Sequence, residues 1–215
     1  MPGNPKILPI DPTCPDAGAI RRAAAVVRAG GVVVYPTSLL YGLGADATRA
    51  AAVKRIFDIK QRMPEKPVSV LINRIEDLPG LVAGIPDAAR SIMDRLWPGK
   101  VTLVFHASAT LPGALTANTG KIGIRLPLHP AARMLLEILK IPLTATSANL
   151  SGSPGCARIT ELPESIIRAA DLILDAGPLP GGIGSTVVDV TVDPPQILRE
   201  GAVSARAIRR AAGPA

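Results

Sequence analysis

Aromatic residues are scarce in this sequence. Phe, Trp and Tyr together make up 2% of the 215 residues, although 47% of the chain is hydrophobic. Val, Ile, Leu and Ala must therefore fill the core, and short runs of these residues between Gly and Pro are typical of a sheet-rich α/β protein. The scarcity also argues against an RNA-binding surface that stacks bases on aromatic rings. Any contact with tRNA or double-stranded RNA would then use phosphates.

Cysteine and histidine are scarce as well. Cys14 and Cys156 are far apart, and neither they nor His106 and His129 have the spacing of a metal site or a structural disulfide. We therefore assign no metal ligand among the protein side chains. The sequence also lacks a run of about 18 apolar residues, which a membrane span would need, and its start lacks signal-peptide features. These absences predict a cytoplasmic protein without membrane contact.

Acidic residues are outnumbered by basic ones. The chain has 24 Lys and Arg against 17 Asp and Glu, which gives a net charge of +7 and a pI of about 9.9. This balance favours anionic partners such as nucleotides or RNA. The length suits one domain, so we expect 1–215 to form a single domain, with about 1–14 and 211–215 loose at its ends.

Helix-start signals and apolar runs alternate irregularly along the chain. Asp16, Thr48 and Ser204 are placed to cap helices, and Pro86 and Pro130 to open two more. Some predicted strands follow one another without an intervening helix, so we predict an α/β fold, a single domain with one twisted mixed β-sheet and helices packed on it. The expected strands are 32–35, 68–72, 101–105, 122–126, 142–146, 172–174, 187–190 and 196–199.

A Lys-x-Arg pair follows the second predicted helix. Lys60 and Arg62 are alternate residues of a segment that Pro64 and Pro67 hold extended, so we expect both to face the same side. Two cations on one side can bind a triphosphate. The alternative for an isolated pair is two solvated side chains at a helix C-terminus, where cations are favoured.

Two loops rich in small residues follow predicted strands. Ser147 and Asn149 offer a hydroxyl and an amide that suit a phosphate or ribose, or else a Ser/Asx turn. In the predicted loop 36–47, Gly42 and Gly44 would permit close backbone approach by a ligand, with a structural turn as the alternative. Neither loop has the pattern of a Walker A or dinucleotide-binding motif.

Three further polar residues stand at strands or strand ends. Arg125 lies inside the apolar strand 122–126, where an Arg is usually at an edge or paired with an anion, such as a substrate carboxylate. Ser185 follows the glycine-rich segment 181–184, and Arg199 ends the last predicted strand.

Together these segments resemble the YrdC-like family of threonylcarbamoyl-AMP synthases, in its short form without an additional C-terminal domain. Each segment alone is a weak signal, but they follow one another in the family's order from about residue 17 to 201. The resemblance is carried by 30–37, 41–44, 59–62 with 66–67, 97–99, 123–127, 147–152, 185–189 and 198–201.

The resemblance implies a twisted α/β sheet around a large, positively charged cavity. It also implies a nucleotidyltransferase that converts L-threonine, bicarbonate or CO2, and ATP into threonylcarbamoyl-AMP and pyrophosphate, with help from Mg²⁺. A downstream threonylcarbamoyl transferase complex would then use the product to modify adenosine 37 of tRNA.

Roles for individual residues follow from the same resemblance. The residues that would bind ATP are Lys60, Arg62, Lys121, Ser147, Asn149 and Arg199, with Lys121 acting through its backbone. Four of these, Lys60, Arg62, Ser147 and Asn149, would be catalytic. The residues that would surround threonine, with Arg125 on its carboxylate, are Thr37, Ser69, Arg125, Ala145 and Ser185.

Two departures from the family pattern lie close to this site. Ser38 and Leu39 stand where the family has an acidic residue and a Thr after Pro-Thr, and Met63 replaces a common Pro. Both bear on substrate choice and rate more than on fold.

Three alternatives to the synthase interpretation are open. The first is a YrdC-fold paralogue with lost or different activity, acting as an RNA- or nucleotide-binding protein; such relatives tend to lose the Lys-x-Arg and Ser-x-Asn elements that this chain keeps. The second is the carbamoyl-adenylate domain of a hydrogenase-maturation protein, which is part of a larger chain with zinc-binding cysteines. The third is a non-enzymatic RNA-binding module, which predicts salt-sensitive RNA binding without ATP turnover.

Overall fold

A ten-stranded sheet forms the centre of the protein in a computed structural model that describes residues 6–213. None of the helices in this range is long and apolar enough to cross a membrane. The strands are β1 (Lys6–Pro9), β2 (Val33–Pro36), β3 (Tyr41–Gly44), β4 (Ser69–Leu71), β5 (Val101–His106), β6 (Lys121–Arg125), β7 (Leu143–Ser147), β8 (Leu172–Asp175), β9 (Thr186–Asp189) and β10 (Gln196–Arg199). The helices are α1 (Ala17–Arg28), α2 (Ala50–Lys60), α3 (Asp87–Leu96), α4 (Gly113–Thr116), α5 (Pro130–Leu139), α6 (Glu164–Ala169) and α7 (Ala205–Ala212), with 3-10 turns at Ile75–Gly80 and Ile159–Glu161.

Neighbours in the sheet are far apart in sequence. The strand order is β1-β8-β2-β3-β7-β4-β6-β5-β9-β10. β8 lies between β1 and β2 and runs parallel to both, whereas β3 is antiparallel to β2 and β7. β1 and β10 are the two edges, so the sheet is unclosed. It is mixed because it contains both parallel and antiparallel strand pairs. The predicted fold class, a single-domain α/β protein with a twisted mixed sheet, is confirmed.

Each face of the sheet has its own core, because alternate strand residues point to opposite faces. On one face, Val34 and Val70 pack with α2, α3, α6 and α7. On the other face, Val33 and Leu71 pack with α1 and α5. The strand residues beneath α1 and α5 come from β2, β4, β7 and β8. Farther along this second face, over β6, β5 and β9, the sheet forms the floor of a cavity.

Two of the three predicted helix caps are confirmed. Asp16 and Ser204 each accept a hydrogen bond from a backbone N–H in the first turn of α1 and α7. Thr48 does not cap α2, because its hydroxyl and its backbone N–H both donate to Asp46 Oδ1. Arg49 takes the N-cap position instead, without a side-chain hydrogen bond.

The segment 36–47, predicted as a loop, contains strand β3. Gly42 and Gly44 lie against the ring of Tyr35, where an added Cβ would come within 2.9 and 2.8 Å of ring atoms. The two glycines therefore make room for a buried tyrosine of the neighbouring strand. Gly42 also lines the cavity, so close approach by a ligand there stays a prediction.

Parts of both segments predicted to be loose belong to regular structure. Residues 6–9 form β1, which pairs with β8 along its whole length. Ala211 in α7 is buried, and its carbonyl oxygen accepts a hydrogen bond from Arg95 Nη1 at 2.9 Å. Residues 1–5 and 214–215, also predicted to be loose, lie outside the described residues.

Candidate active site

A cavity of about 1110 Å³ opens on the second face of the sheet. Seven of its lining side chains are Lys or Arg and two are Glu, a balance that attracts anions. Every residue that the sequence predicted to bind ATP or threonine lines this one cavity. These residues are Thr37, Lys60, Arg62, Ser69, Lys121, Arg125, Ala145, Ser147, Asn149, Ser185 and Arg199.

The period of the strands explains this convergence. Residues two apart on a strand face the same side, so Lys121 and Arg125 of β6 both line the cavity. In the pairing of β4 with β7, Ser69 of β4 lies opposite Ala145 of β7. Ser147 is two residues farther along β7. The polar positions of adjacent strands thus form rows across the cavity floor.

Lys60 ends α2 and is buried, with 2% of the residue exposed. Its Nζ donates to the carbonyl oxygens of Ser147 (2.5 Å) and Asn149 (2.7 Å) and to Asn149 Oδ1 (3.1 Å). Burial, and then the nearby Arg62 guanidinium, lower the pKa of Lys60 to about 8. The three oxygen acceptors oppose this shift because they favour the protonated form.

Lys60 and Arg62 do not lie in an extended segment, contrary to the prediction. Gln61 between them adopts a left-handed conformation, with φ of 49°, that ends α2. Arg62 Nε donates to the carbonyl oxygen of Lys66 at 3.0 Å, and Nη2 donates to that of Pro67 at 2.8 Å. The guanidinium therefore holds segment 62–67 in a loop at the cavity wall.

Ser147 and Asn149 form a turn after β7. The Ser147 hydroxyl donates to Asn149 Oδ1, and Asn149 Nδ2 donates to the carbonyl oxygen of Ser153. We call residues 147–153 the Ser-x-Asn turn. It is the Ser/Asx turn that the sequence offered as one alternative. It also lines the cavity, as the other alternative, a contact with a phosphate or ribose, requires.

Arg125 carries a buried nitrogen without a partner. Within residues 6–213, its Nε is the one buried side-chain N or O atom that makes no hydrogen bond. Burial lowers the pKa of this guanidinium. Tyr35 is close by, but burial raises the pKa of its phenol, and its hydroxyl donates to the carbonyl oxygen of Thr144 at 3.2 Å. Because an unsatisfied buried N–H is costly, an anion in the cavity would stabilise Arg125.

Polar groups from β5, from β10 and from the residue before β9 meet on the cavity lining. The hydroxyls of Thr102 and Ser185 are 2.8 Å apart and both residues are buried. Arg199 Nη2 donates to the carbonyl oxygen of Ser185 at 2.8 Å. Sequence reasoning missed Thr102, although a single hydroxyl inside the apolar run 101–105 was a usable signal.

The remaining predicted threonine contacts have distinct surroundings. The Thr37 hydroxyl donates to the carbonyl oxygen of Leu40 at 2.6 Å, in the turn between β2 and β3. Ser69 has room beside Gly123, where an added Cβ would lie 2.5 Å from Ser69 Oγ. Ala145, opposite Ser69, offers its backbone at the floor of the cavity.

The ammonium of Lys121 is already paired, 2.8 Å from Asp189 Oδ2. The backbone N–H of Lys121 donates to Thr119 Oγ1 at 3.3 Å, and the ATP contact predicted for this backbone stays a prediction. His129, for which no role was predicted, accepts a hydrogen bond from the Ala131 backbone N–H at the start of α5. In the part of the chain that the structure describes, no group of three or more His, Cys, Asp or Glu could hold a metal ion.

Comparison with known proteins places this chain in a family. The Sua5/YciO/YrdC family model, described as telomere recombination, matches residues 25–201. The chain belongs to the Sua5/YciO/YrdC family. This membership confirms the resemblance inferred from the sequence motifs.

Members of the Sua5/YciO/YrdC family similar to this chain include long and short proteins. A Pyrococcus abyssi threonylcarbamoyl-AMP synthase is 37% identical over 194 residues, which cover 90% of this chain and 57% of the relative. The crystal structure of Pyrococcus abyssi Sua5 complexed with L-threonine matches with a TM-score of 0.92 and 35% identity, over 96% of this chain and 61% of Sua5. Escherichia coli YciO matches with a TM-score of 0.85 and 31% identity, over 95% of this chain and 99% of YciO. The chain thus spans less than two thirds of the archaeal proteins and nearly all of YciO.

Proposed function

We propose that this protein is an enzyme, a nucleotidyltransferase that forms threonylcarbamoyl-AMP and pyrophosphate from L-threonine, bicarbonate or CO2, and ATP. The observation that carries the proposal is the convergence of all eleven predicted residues on one cationic cavity. The name of the Pyrococcus abyssi relative and the threonine bound by Sua5 support the same activity.

Threonine binds at the Arg125 end of the cavity in this proposal. Its carboxylate supplies the acceptor that Arg125 Nε lacks, and a charge-assisted hydrogen bond in a buried site is strong. The hydroxyls of Ser69 and Ser185, the backbone of Ala145 and the Thr37 turn surround the rest of the amino acid.

The chemistry needs positioning and charge neutralisation more than a protein nucleophile. The threonine amine adds to bicarbonate, and loss of water gives a carbamate. A carbamate oxygen then attacks the α-phosphorus of ATP, a P–O bond forms, and pyrophosphate leaves with the electrons of the bond that breaks. Arg62 and Arg199 offset negative charge on the triphosphate, which is where such reactions gain most of their rate.

Mg²⁺ enters as part of the nucleotide substrate. Acidic side chains on the cavity lining are Glu65 and Glu200, too few for a protein cage, and Mg²⁺ commonly binds through substrate phosphates and water. When bound there, the ion adds to the neutralisation of the triphosphate.

The product is a labile mixed anhydride that needs an acceptor. We propose that a threonylcarbamoyl transferase complex passes the threonylcarbamoyl group to adenosine 37 of tRNA, in the cytoplasm. Contact of this protein with tRNA itself would use phosphates, given its charge and few aromatics.

Pyrophosphate release tests the proposal most directly. Purified protein is given ATP and Mg²⁺, with threonine and bicarbonate each present or omitted, and the adenylate is sought by rapid chromatography. Release that requires both co-substrates is the expected result. ATP binding without release under any combination would overturn the synthase and favour the nucleotide-binding paralogue.

A further inference from the structure

The donors of Lys60 are fully used by the protein. An ammonium group has three hydrogens, and Lys60 Nζ has three oxygen acceptors within 3.1 Å. All three acceptors belong to Ser147 and Asn149. The side chain is buried beneath the Ser-x-Asn turn, at the end of a helix whose other buried residues pack in the core.

The backbone of Lys60 holds the same turn. Its carbonyl oxygen accepts a hydrogen bond from the Ser151 N–H at 2.9 Å. Lys60 thus makes four hydrogen bonds to the Ser-x-Asn turn, through both its backbone and its side chain. To reach a phosphate, its ammonium would have to leave the buried carbonyl oxygen of Asn149, which is costly. The carbonyl oxygen of Ser147 would keep the backbone N–H of Asn149 as a donor at 2.9 Å.

We infer that Lys60 is a positioning residue, which serves the reaction by holding the Ser-x-Asn turn in place and does not contact the phosphates of ATP. This inference rests on the proposed function and refines the role that the family resemblance implied for Lys60. Direct neutralisation of the triphosphate then falls to Arg62 and Arg199.

Hydrogen exchange of the ligand-free protein tests the inference without any activity. Lys60→Met keeps a long apolar side chain but removes the ammonium. We expect the backbone amides of Ser151 and Ser153 to exchange at least about tenfold faster in this variant. Lys66→Met is the matched control, because Lys66 is an exposed lysine of the same cavity whose ammonium makes no hydrogen bond or ion pair among the described residues. It should leave the exchange unchanged.

A double-mutant cycle separates positioning from direct contact. If Lys60 acts through the turn, Lys60→Met and Asn149→Ala each lower kcat/KM for ATP, and the double variant is no more than about twofold worse than the poorer single variant. Multiplicative losses, with turn exchange unchanged in Lys60→Met, would overturn the inference and make Lys60 a phosphate ligand.

A measurement on the wild-type protein covers the case in which Lys60→Met does not fold. The side-chain ammonium of Lys60 is followed by ¹⁵N NMR as α,β-methylene-ATP is added. The inference predicts retained scalar couplings to the carbonyls of Ser147 and Asn149 when the nucleotide is bound. Their loss on binding would overturn it. The hydrogen-exchange and NMR measurements need no turnover. A protein that fails the pyrophosphate test can therefore still pass them, and the reverse also holds.

Discussion

The two ends of the cavity differ in how their polar groups are satisfied. At the Ser-x-Asn turn, Lys60, Ser147 and Asn149 bond to one another and to the backbone. At the other end, Arg125 keeps a buried Nε without an acceptor. The polar groups of the first end are therefore satisfied by the protein itself, whereas in the proposed function a ligand would complete the second end. Substitutions at the first end should disturb geometry, and those at the second should mainly disturb affinity.

The sharpest test of this difference is Arg125→Met. We expect kcat/KM for threonine to fall about 1000-fold, because removing a charge that pairs with a ligand in a buried site costs about 2–5 kcal/mol. The free energy of unfolding should stay equal or rise by about 1 kcal/mol, since an unsatisfied buried group is lost. Pyrophosphate release at varied threonine and urea unfolding measure the two quantities. A destabilised variant with unchanged threonine kinetics would show that the nitrogen has a structural purpose.

At the opposite end, Arg62→Ala should lower adenylate formation about 100-fold, as expected for loss of a cation that offsets developing charge. The circular dichroism spectrum should remain that of the wild type, because the two side-chain hydrogen bonds of Arg62 among the described residues stay within the loop 62–67. Lys66→Ala removes a charge from the same loop and should cost less than about threefold. Equal losses in the two variants would mean that the loop acts through its total charge.

Lys60, at the Ser-x-Asn turn, also predicts a pH dependence of stability. The pKa of Lys60 is about 8 in the folded protein against 10.5 for an ordinary lysine, so between these values the unfolded chain binds more protons. The free energy of unfolding should therefore rise with pH across this window, by about 1–3 kcal/mol relative to Lys60→Met. Urea unfolding at about pH 7.5 and about pH 10 measures it. If the difference in free energy of unfolding between the wild type and Lys60→Met did not change with pH, the three oxygen acceptors would offset the effect of burial on the pKa of Lys60.

A smaller effect is expected for Ser185→Ala. The hydroxyl that lies 2.8 Å from Thr102 Oγ1 is lost, and one neutral hydrogen bond is worth about 1 kcal/mol. We expect KM for threonine to rise about fivefold with kcat nearly unchanged, and Thr102→Val to behave similarly. If KM for ATP rose instead, Ser185 would belong to the nucleotide end.

The smallest effect should come from Leu39→Thr, at a position that lines the cavity and departs from the family pattern. Competition between threonine and serine in adenylate formation should shift by about fivefold or less, since one small side-chain change in a pocket is worth about 1 kcal/mol. A change of more than about tenfold would make Leu39 a determinant of amino-acid choice.

Local sequence signals predicted much of the fold. Pro130 was predicted to open a helix, and α5 begins at this residue. β3 was missed because its two glycines lower strand propensity, while the pairing with β2 and β7 that stabilises it is not visible in a local window. Thr48 failed as a cap because Asp46, two residues earlier, takes its hydroxyl.

The candidate site was predicted as a set of residues but not as a geometry. Family motifs supplied residues that all line the cavity, and their roles stay predictions. The bonds of Lys60 could not be foreseen, because Ser147 is 87 positions away and the left-handed Gln61 changes the course of the chain after α2. The unpartnered Nε of Arg125 likewise depends on packing across several strands.

The insertion of β8 between β1 and β2 has a consequence for how the protein is made. During synthesis β1 and β2 leave the ribosome long before the strand that joins them. The cavity wall, which needs Ser185 and Arg199 from the last strands, closes later still. Such long-range pairing predicts slow folding and a nascent chain that depends on protection from aggregation until its second half emerges.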